Sequence, residues 1–480
     1  MAPRQYHGSD PHHSPRGGAM DEIPMEVVLN GKDAKVDRKK RDDQGRGRNE
    51  SKDYPGPTDQ EKDRQVIQLC CCGLTFLQAQ QITKFFSFLL LLCVFAFILG
   101  LVLYYTKFKG EDPEKEYASP WTLPPGKVTV GAYYYPWYGN DFHGGDGYMR
   151  KLLSPMQQPE LGEYDDTDPD TIYQHFLWSA QANIGLWVTS WWGNGTRPDI
   201  TTKNVIMQHK ALGDLEIALF YETTGRIEES EGYSLDRVIP DIKYMCQHYF
   251  PHPNYYRVNG RPVLFIYLTR MLARLGLLDE VIEKMRTAAT EEGYNIYIVG
   301  DHAFQHPPDS DPVDPPISIL DAITTYDVFG SMFQPSPYAS DEDIKEHSER
   351  SLGWKKLANR NQVAFIPSVA PGYNDVGVRP EKHNPYLARQ LLNDPTEGSL
   401  FRKTLQYARM LVDERVDNLI MVNSFNEWHE DTQIEPARGE TTNLPNDITN
   451  GISYYGYGEL YLDILRNETL EFQPRYLREV

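Results

Sequence analysis

The feature that most constrains the fold of this chain is a series of eight short apolar runs between residues 128 and 424. The runs are rich in Val, Ile, Tyr and Phe and are mostly unbroken by polar residues, which is typical of parallel strands buried on both faces. The eight runs are Val128–Tyr134, Gly185–Ser190, Glu216–Tyr221, Pro262–Leu268, Ile296–Gly300, Ala322–Tyr326, Val363–Ser368 and Asn418–Ser424.

Amphipathic stretches lie between most of these runs, at Leu235–Tyr249, Leu277–Glu292, Asp341–Ala358 and Leu400–Val416. Eight strands alternating with helical patterns predict an α/β fold, a (β/α)8 or TIM barrel over residues 128–480. A doubly wound open sheet is the alternative. That fold normally carries a Gly-rich phosphate-binding turn after its first strand, and the sequence has none there, so we favour the barrel.

The residues before the barrel predict three further segments. Residues 1–84 are polar and rich in Gly, Pro, Asp, Lys and Arg, so they cannot bury enough apolar surface to fold and we expect a disordered tail. Residues 85–105 are apolar and uncharged, and about 20 such residues cross a bilayer as a helix. This run begins too far from the N-terminus for a cleaved signal peptide, so we expect a signal-anchor helix followed by a stem at 106–127.

Charge does not fix the orientation of this predicted transmembrane helix, because lysines flank both of its ends. Two sequons in the barrel region, Asn194-Gly-Thr and Asn467-Glu-Thr, permit N-glycosylation and favour a lumenal barrel with a cytoplasmic tail. The sequence therefore predicts a single-pass type II membrane protein. The net charge of −20 makes a nucleic-acid partner a poor expectation, since an acidic surface repels phosphates.

Polar and aromatic residues gather where each predicted strand ends. In chain order, the motifs are YYYPWYGN, SWWGNG, YETTGR, IYLTR, GDHAF, TTYD, PSVAPGYND and NSFNEWHE. The active site of a (β/α)8 barrel is built from the loops at this end of the strands. Aromatic rings suit the C–H faces of sugars and tyrosine hydroxyls suit their OH groups, so the motifs predict a carbohydrate site. Ordinary barrel packing is the alternative for any single ring.

Glu427 and Glu430 are the candidate catalytic residues. If they begin a helical turn, their Cβ atoms lie about 5–6 Å apart on one side. Retaining glycosidases need carboxyls at roughly 5–5.5 Å, and inverting ones need about 6.5–9.5 Å. Two carboxyls this close in a partly dry pocket should not both ionise, which leaves an acid and a base near neutral pH. Glu222, at the end of the third strand, is a third carboxylate expected at the same mouth.

Two other interpretations of these acids stay open. His429, Glu430, Asp431 and Glu435 offer the oxygen and imidazole ligands that a metal ion needs, although no two histidines have a ligand spacing such as HExxH. Alternatively, Glu427 and Glu430 are solvated loop acids, because an E-x-x-E pair is common by itself.

From Val128 to Leu465, the strand-end motifs, above all SFNEWHEDTQIEPA, resemble glycoside hydrolase family 99, the endo-α-1,2-mannosidases. The resemblance implies a retaining (β/α)8 glycoside hydrolase without metal or cofactor, acting on internal α-mannosidic linkages of glucosylated high-mannose N-glycans in the Golgi. It implies that Glu427 deprotonates the sugar 2-OH and that Glu430 is the acid/base, through a 1,2-anhydro sugar. The substrate-binding residues expected from it are Tyr135, Trp192, Glu222, Tyr326, Asn426, Trp428 and His429.

The sequence departs from the family pattern at three places. Asp431 stands where we expect glycine, and if it points inward it should raise the pKa of Glu430. The YETTGR motif replaces a Pro-containing loop of the animal enzymes, and Trp192 resembles the bacterial ones, so the sugar preceding the cut is open between glucose and mannose. A non-catalytic glycan-binding protein and a barrel associated with glycan synthesis stay as alternative functions.

Overall fold

The structure is a computed structural model. It describes residues 128–139, 141–143, 147–229, 232–308, 317–332, 336–381, 384–438, 443–446, 448–449 and 451–470, with a few residues between 84 and 99. Contacts divide the chain into two units, Met1–Ser119 and Pro120–Val480.

In the first unit, the described residues between Lys84 and Leu99 are helical. Within the part of the chain that the structure describes, no helix combines the length and apolar character needed to cross a membrane. The predicted tail (1–84), transmembrane helix (85–105) and stem (106–127) otherwise lie outside the described residues.

The second unit is built on a parallel sheet whose strands follow the eight apolar runs. The strands are β1 (Thr129–Tyr134), β2 (Ile184–Trp191), β3 (Glu216–Tyr221), β4 (Arg261–Ile266), β5 (Tyr297–Asp301), β6 (Ala322–Thr324), β7 in two pieces (Ala364–Phe365 and Ser368–Val369) and β8 (Leu419–Val422). Nearly every residue in these strands is buried, as strands covered on both faces require.

The strands pair in chain order from β1 to β8, and β8 pairs in parallel with β1. The first piece of β7 pairs with β6 and the second with β8, on either side of Ile366 and Pro367. Proline has no N–H to donate, but its carbonyl oxygen accepts from Met421 N–H at 2.9 Å. The predicted α/β class and parallel sheet are confirmed, and the pairing is the strand order of a (β/α)8 barrel.

Helices follow most strands. In chain order they are α1 (Pro169–Gln181), α2 (Arg197–Thr201), α3 (Thr223–Arg226), α4 (Val238–His248), α5 (Thr269–Arg274), α6 (Leu278–Glu291), α7 (Val328–Ser331), α8 (Asp341–Arg360), α9 (Ser399–Ala408) and α10 (Leu460–Leu470). Single 3₁₀ turns lie at Met149–Leu152, Ile317–Ile319 and Glu414–Val416, and a π-helical turn at Thr202–Ile206. Short antiparallel pairs join Gln158–Pro159 to Ala437–Arg438, Glu228–Glu229 to Gly232–Tyr233, and Arg257–Val258 to β4.

The predicted helices match α4, α6 and α8 within a few residues, but the predicted helix Leu400–Val416 is too long. The helix α9 ends at Ala408, and Asp413 caps a separate 3₁₀ turn by accepting from Arg415 N–H at 3.0 Å. Aspartate side chains bond nearby backbone N–H groups and so compete with helix continuation.

Aromatic side chains fill the interior of the sheet just below the strand ends. The Tyr133 ring lies 4.8 Å from Phe220 and 5.0 Å from Tyr326, and Phe220 stacks on Tyr326 at 5.4 Å. These rings come from β1, β3 and the end of β6. They form an aromatic layer beneath the side chains at the carboxyl ends of the strands.

Candidate active site

The segment that follows β8 carries both candidate catalytic glutamates and folds back on itself. Ser424 N–H donates to the Thr432 carbonyl at 2.8 Å, and Ile434 N–H donates to the Ser424 carbonyl at 3.0 Å. Residues 428–431 form a turn that does not continue as a helix. Asp431 ends this turn with a φ of 53°.

Glu427 is almost completely buried, with 3 % of its side chain exposed. Its Oε1 accepts from His429 N–H at 2.9 Å and lies 3.0 Å from His429 Nδ1. Burial raises the pKa of Glu427, whereas the charge of His143 and the bond from His429 N–H act against that rise. The carboxyl is therefore desolvated but held by groups that favour its ionised form.

Glu430 lies on the same turn and reaches the surface, with 19 % of its side chain exposed. Its Oε1 is 3.1 Å from Arg379 Nη1. Burial raises the pKa of Glu430, Arg379 lowers it, and the charges of Glu427 and Asp375 raise it. The charge of Glu427 thus raises the pKa of Glu430, and the assignment of an acid and a base to this pair stays a prediction.

Glu222 comes from a different strand, directly after β3. It is buried and accepts from Ser190 Oγ at 2.7 Å. Burial raises the pKa of Glu222 to about 8, against the Ser190 bond, and the charges of Glu427 and Glu430 raise it further. Glu222 therefore holds a proton at pH 7, and three carboxyls from two strand ends share one electrostatic environment.

Tyr135 and Tyr326 line this environment from positions just after β1 and β6. Their hydroxyls are hydrogen-bonded to each other. Burial raises the pKa of both phenols far above its ordinary value, and the charges of Glu427 and Glu430 add to the effect. Both hydroxyls stay protonated, and because one of them donates to the other, one O–H of the pair is left to donate to a bound sugar.

Trp192 is half-buried at the end of β2 and is fixed on two sides. Its Nε1 donates to Ser190 Oγ at 2.8 Å, the same hydroxyl that binds Glu222. A Cβ added to Gly225 would lie 2.3 Å from Trp192 Cε3, so glycine is what allows the ring to lie on the α3 backbone. The YETTGR motif therefore places both a carboxyl and an aromatic ring.

Of the remaining residues of the NEWHE motif, His429 lies at the pocket and Asn426 lies behind its wall. His429 is stacked 5.7 Å from Tyr138 and lies 4.7 Å from His143, beside Glu427. Asn426 is fully buried, and its amide accepts from Tyr135 N–H at 2.8 Å and donates to the Tyr135 carbonyl at 3.1 Å. Asn426 thus joins β1 to the β8 loop and lies behind the pocket wall.

Trp428, predicted to bind substrate, is turned away from the three carboxyls. Its Nε1 donates to Glu435 Oε2 at 2.7 Å, and that oxygen also accepts from Tyr164 at 2.9 Å. Trp428 is 1 % exposed, so its contacts are those of a support beneath the turn.

Asp431 also points away from the pocket. Its Oδ1 lies 2.5 Å from Arg150 Nε and 3.3 Å from Arg389 Nη2, and all three side chains are buried. Of the proposed metal ligands, Asp431 is bound to arginines and Glu435 to Trp428 and Tyr164, so they diverge. Among the described residues, no three His, Cys, Asp or Glu are grouped as metal ligands.

The structure adds residues to which the sequence assigned no individual role, although Ser190 and Asp375 lie in the SWWGNG and PSVAPGYND motifs. Arg379 and Asp375 come from the loop after β7, His143 from the loop after β1, and Ser190 from β2. Arg379 belongs to the VGVRP stretch beyond the PSVAPGYND motif. A lone cation within a dozen residues of a strand end is the sequence signal that could have found it.

Comparison with known families gives a match over more than half of the chain. The family model of Glycosyl hydrolase family 99 matches residues 153–278 and 324–476. The matched ranges include Glu222, Glu427 and Glu430 and exclude the first strand with Tyr135.

Two relatives from Mus musculus illustrate the similarity. The glycoprotein endo-alpha-1,2-mannosidase is 27 % identical over 388 residues, which is 73 % of this chain and 76 % of the relative. The glycoprotein endo-alpha-1,2-mannosidase-like protein is 28 % identical over 349 residues, which is 65 % of this chain and 70 % of the relative.

Among solved structures, the GH99 endo-alpha-mannosidase from Bacteroides thetaiotaomicron in complex with bis-tris-propane is similar, with a TM-score of 0.52 at 23 % identity. The similarity covers 72 % of this chain and 98 % of that one. At this identity it supports the fold.

Proposed function

This chain belongs to glycosyl hydrolase family 99, and on that premise we propose that it is a retaining endo-α-1,2-mannosidase acting inside mannosyl glycans. The chain is a glycoside hydrolase. The observation that carries the proposal is the grouping of Glu222, Glu427 and Glu430, desolvated and acting on one another, beside aromatic side chains at the strand ends.

Glu427 is proposed as the base that takes the proton of the sugar 2-OH. The His429 backbone N–H donates to its carboxylate, and a charged acceptor is what this contact stabilises. Its burial leaves no bulk water to compete for the carboxylate. Glu430, on the same turn and more exposed, is proposed as the acid that reaches the leaving oxygen.

In the first step, O2 attacks C1 as Glu427 takes the proton from the 2-OH, and the bond from C1 to the leaving oxygen breaks. Glu430 gives its proton to that oxygen, and the product is a 1,2-anhydro sugar. In an α-mannoside the axial 2-OH lies trans to the leaving group, so the attack is open. An attack within one molecule avoids much of the entropy loss of bringing two together.

In the second step, water opens the anhydro ring at C1. Glu430 takes a proton from the water and Glu427 returns a proton to O2, which restores both carboxyls. Two displacements at C1 retain the anomeric configuration.

The aromatic residues and Glu222 are proposed to bind the sugars on either side of the cut. Trp192 offers a ring face, the pair of Tyr135 and Tyr326 offers one free hydroxyl donor, and Glu222 offers a protonated carboxyl for a sugar hydroxyl. The relatives are named for glycoprotein substrates, so we propose high-mannose N-glycans, glucosylated or not, as the substrate class.

The proposed location is the Golgi membrane, with a single type II anchor at residues 85–105 and the barrel in the lumen. The apolar sequence of that segment supports an anchor. Asn194 and Asn467 are both exposed, as acceptors of N-glycans must be. Expression of the full chain in cells, with N-glycanase treatment, tests this: a loss of mass that disappears in Asn194→Gln with Asn467→Gln supports a lumenal barrel, and no loss contradicts it.

The activity is tested with the full chain and a defined glucosylated mannosyl glycan. We expect an internal cut that releases an oligosaccharide, and Glu430→Gln should reduce kcat about 10²- to 10⁴-fold because it removes the acid. Glu283→Gln, an exposed carboxyl on α6, is the matched control and should keep full activity.

Three outcomes contradict the proposal. Undiminished turnover in Glu430→Gln removes the role given to that residue. Glycan binding without turnover between pH 4 and 8 favours a non-catalytic glycan-binding protein, and transfer to a sugar acceptor favours glycan synthesis.

A further inference from the structure

Arg379 forms a bridge between the candidate acid and a second carboxylate. Its Nη1 lies 3.1 Å from Glu430 Oε1 and 2.9 Å from Asp375 Oδ2. The Arg379 side chain is 41 % exposed, whereas Asp375 is 4 % exposed. The Asp375 end of the bridge is therefore buried in the protein, and the Glu430 end lies on the pocket side.

The loop after β7 is fixed firmly enough to hold this bridge. Asn374 N–H donates to the Glu430 carbonyl at 2.8 Å, and Asn384 Nδ2 donates to Asp375 Oδ2 at 2.6 Å. A Cβ on Gly377 would lie 2.4 Å from Met149 N, so the loop backbone passes directly against the chain at that point. Both the backbone and the side chain of Glu430 are thus tied to this loop.

Arg379 is the cation in contact with Glu430. The negative charges of Glu427, near the same turn, and of Asp375, on the β7 loop, act on Glu430 and favour the protonated form of Glu430. The other titratable groups that interact with it from the surrounding elements are Tyr135, Glu222, Tyr267, Tyr326, Asp327 and Tyr373. None of these six supplies a positive charge, so Arg379 chiefly opposes protonation of Glu430.

The proposed reaction requires a proton on Glu430 at the moment the leaving oxygen departs. In the structure, Glu430 Oε1 accepts a hydrogen bond from Arg379. The guanidinium cannot give up a proton to Glu430 at neutral pH, because its own pKa is raised further by Glu430. Arg379 therefore supplies no proton to Glu430, and its positive charge opposes the proton that this carboxyl must carry.

We propose that Arg379 is a positioning residue, which holds Glu430 through Oε1, ties it to Asp375 and opposes protonation of the Glu430 carboxyl. This rests on the proposed role of Glu430 as the acid. Arg379 then decides the pH above which Glu430 can no longer carry the proton.

The protonation of Glu430 can be measured without any activity. A water-soluble carbodiimide reacts with protonated carboxyls, so labelling of Glu430 in the full chain from pH 4 to 9, read by mass spectrometry, gives its midpoint. Removing a cation in contact should raise the midpoint, and Arg379→Gln is expected to shift it upward by about one pH unit, allowing for the exposure of Arg379. Arg379→Lys keeps the charge and should stay within a few tenths of wild type.

Asp375→Asn is the control of opposite sign, since it removes a negative charge from the same loop and should lower the midpoint or leave it unchanged. An unchanged or lowered midpoint in Arg379→Gln overturns the proposal. An equal rise in Asp375→Asn also overturns it, because any disturbance of the loop would then have this effect.

The same three variants are assayed for hydrolysis. The alkaline limb of the pH profile of kcat/KM should move to higher pH in Arg379→Gln alone. A labelling shift in a chain that hydrolyses no mannoside would refute the proposed function and leave the contact between Arg379 and Glu430 standing. A mannosidase without the shift would refute the role of Arg379 and leave the proposed function standing.

Discussion

Trp192 shows how much of the site depends on a single small residue. Its ring lies on Gly225, where a Cβ would approach Cε3 to 2.3 Å, and its Nε1 is fixed by Ser190. An alanine at position 225 must displace the ring or the α3 backbone, while Glu427 and Glu430 on the β8 loop stay where they are.

We therefore expect Gly225→Ala to weaken sugar binding more than chemistry. The predicted result is a rise in KM of about tenfold with kcat changed less, measured on the mannosyl glycan. Gly185→Ala is the control, because its Cβ meets nothing within 4 Å and its φ is not positive. A large fall in kcat with unchanged KM would show that Trp192 acts on the reacting atoms instead.

The sequence identifies which residues lie near the pocket better than it identifies where their side chains point. Glu222, Glu427 and Glu430 come together as predicted from their positions at the strand ends. Asn426 and Trp428 lie in the same motif but support it from behind, because the segment after β8 is irregular and no simple periodicity applies to it. The positive φ of Asp431 has only a weak signal in its residue type, because aspartate is enriched in that region but most aspartates do not adopt it.

At the scale of elements, Asp431 connects the turn that carries Glu430 to two other segments. It binds Arg150 from the 3₁₀ turn Met149–Leu152 and Arg389 from the segment before α9. The neighbouring charges that chiefly shift the pKa of Glu430 are those of Arg379, Glu427 and Asp375. The two possibilities raised by the sequence are thus resolved: Asp431 holds the turn from behind.

Asp431→Asn keeps a residue that tolerates positive φ but leaves two buried arginines without their carboxylate. We expect a loss of about 3–5 kcal/mol in the free energy of unfolding, measured with urea, as for other buried pairs broken on one side. The alkaline limb of kcat/KM should stay in place.

Glu346→Gln provides the comparison, because Glu346 pairs with Arg350 at the surface with 45 % of its side chain exposed. It should change stability by less than about 1 kcal/mol. Equal effects of the two substitutions would contradict the role given to Asp431.

Element boundaries follow the sequence where apolar residues decide them and depart from it where side chains bond the backbone. β3 begins and ends as predicted. β6 stops at Thr324, two residues early, because Tyr326 N–H donates to Asp301 Oδ1 at 2.8 Å and not to a neighbouring strand. Such bonds depend on residues far apart in the chain, so the sequence near β6 cannot reveal them.

At the scale of the whole molecule, the buried Glu222 should make stability depend on pH. Its folded-state pKa of about 8 lies above the ordinary value of 4.5. The stabilisation by its protonated form is complete below pH 4.5 and is lost as pH rises through 8, because ionisation then favours unfolding. Wild type should therefore lose stability above pH 5 relative to a variant without this carboxyl.

Glu222→Gln tests this expectation. Between pH 5 and 8, the free energy of unfolding of Glu222→Gln should rise relative to that of wild type by up to about 1.4 kcal/mol per pH unit. The exposed Glu283→Gln should show no comparable slope, because its side chain stays in water. Parallel curves for Glu222→Gln and wild type would show that Glu222 is ionised throughout.

The account depends most on paired carboxyls that cut a mannoside internally and with retention. The direct measurement is proton NMR of the sugar released from a defined α-1,2-linked mannosyl glycan, recorded before the anomers equilibrate. The account predicts an oligosaccharide that appears first as the α-anomer. Release of the β-anomer, or of single terminal sugars only, would contradict it.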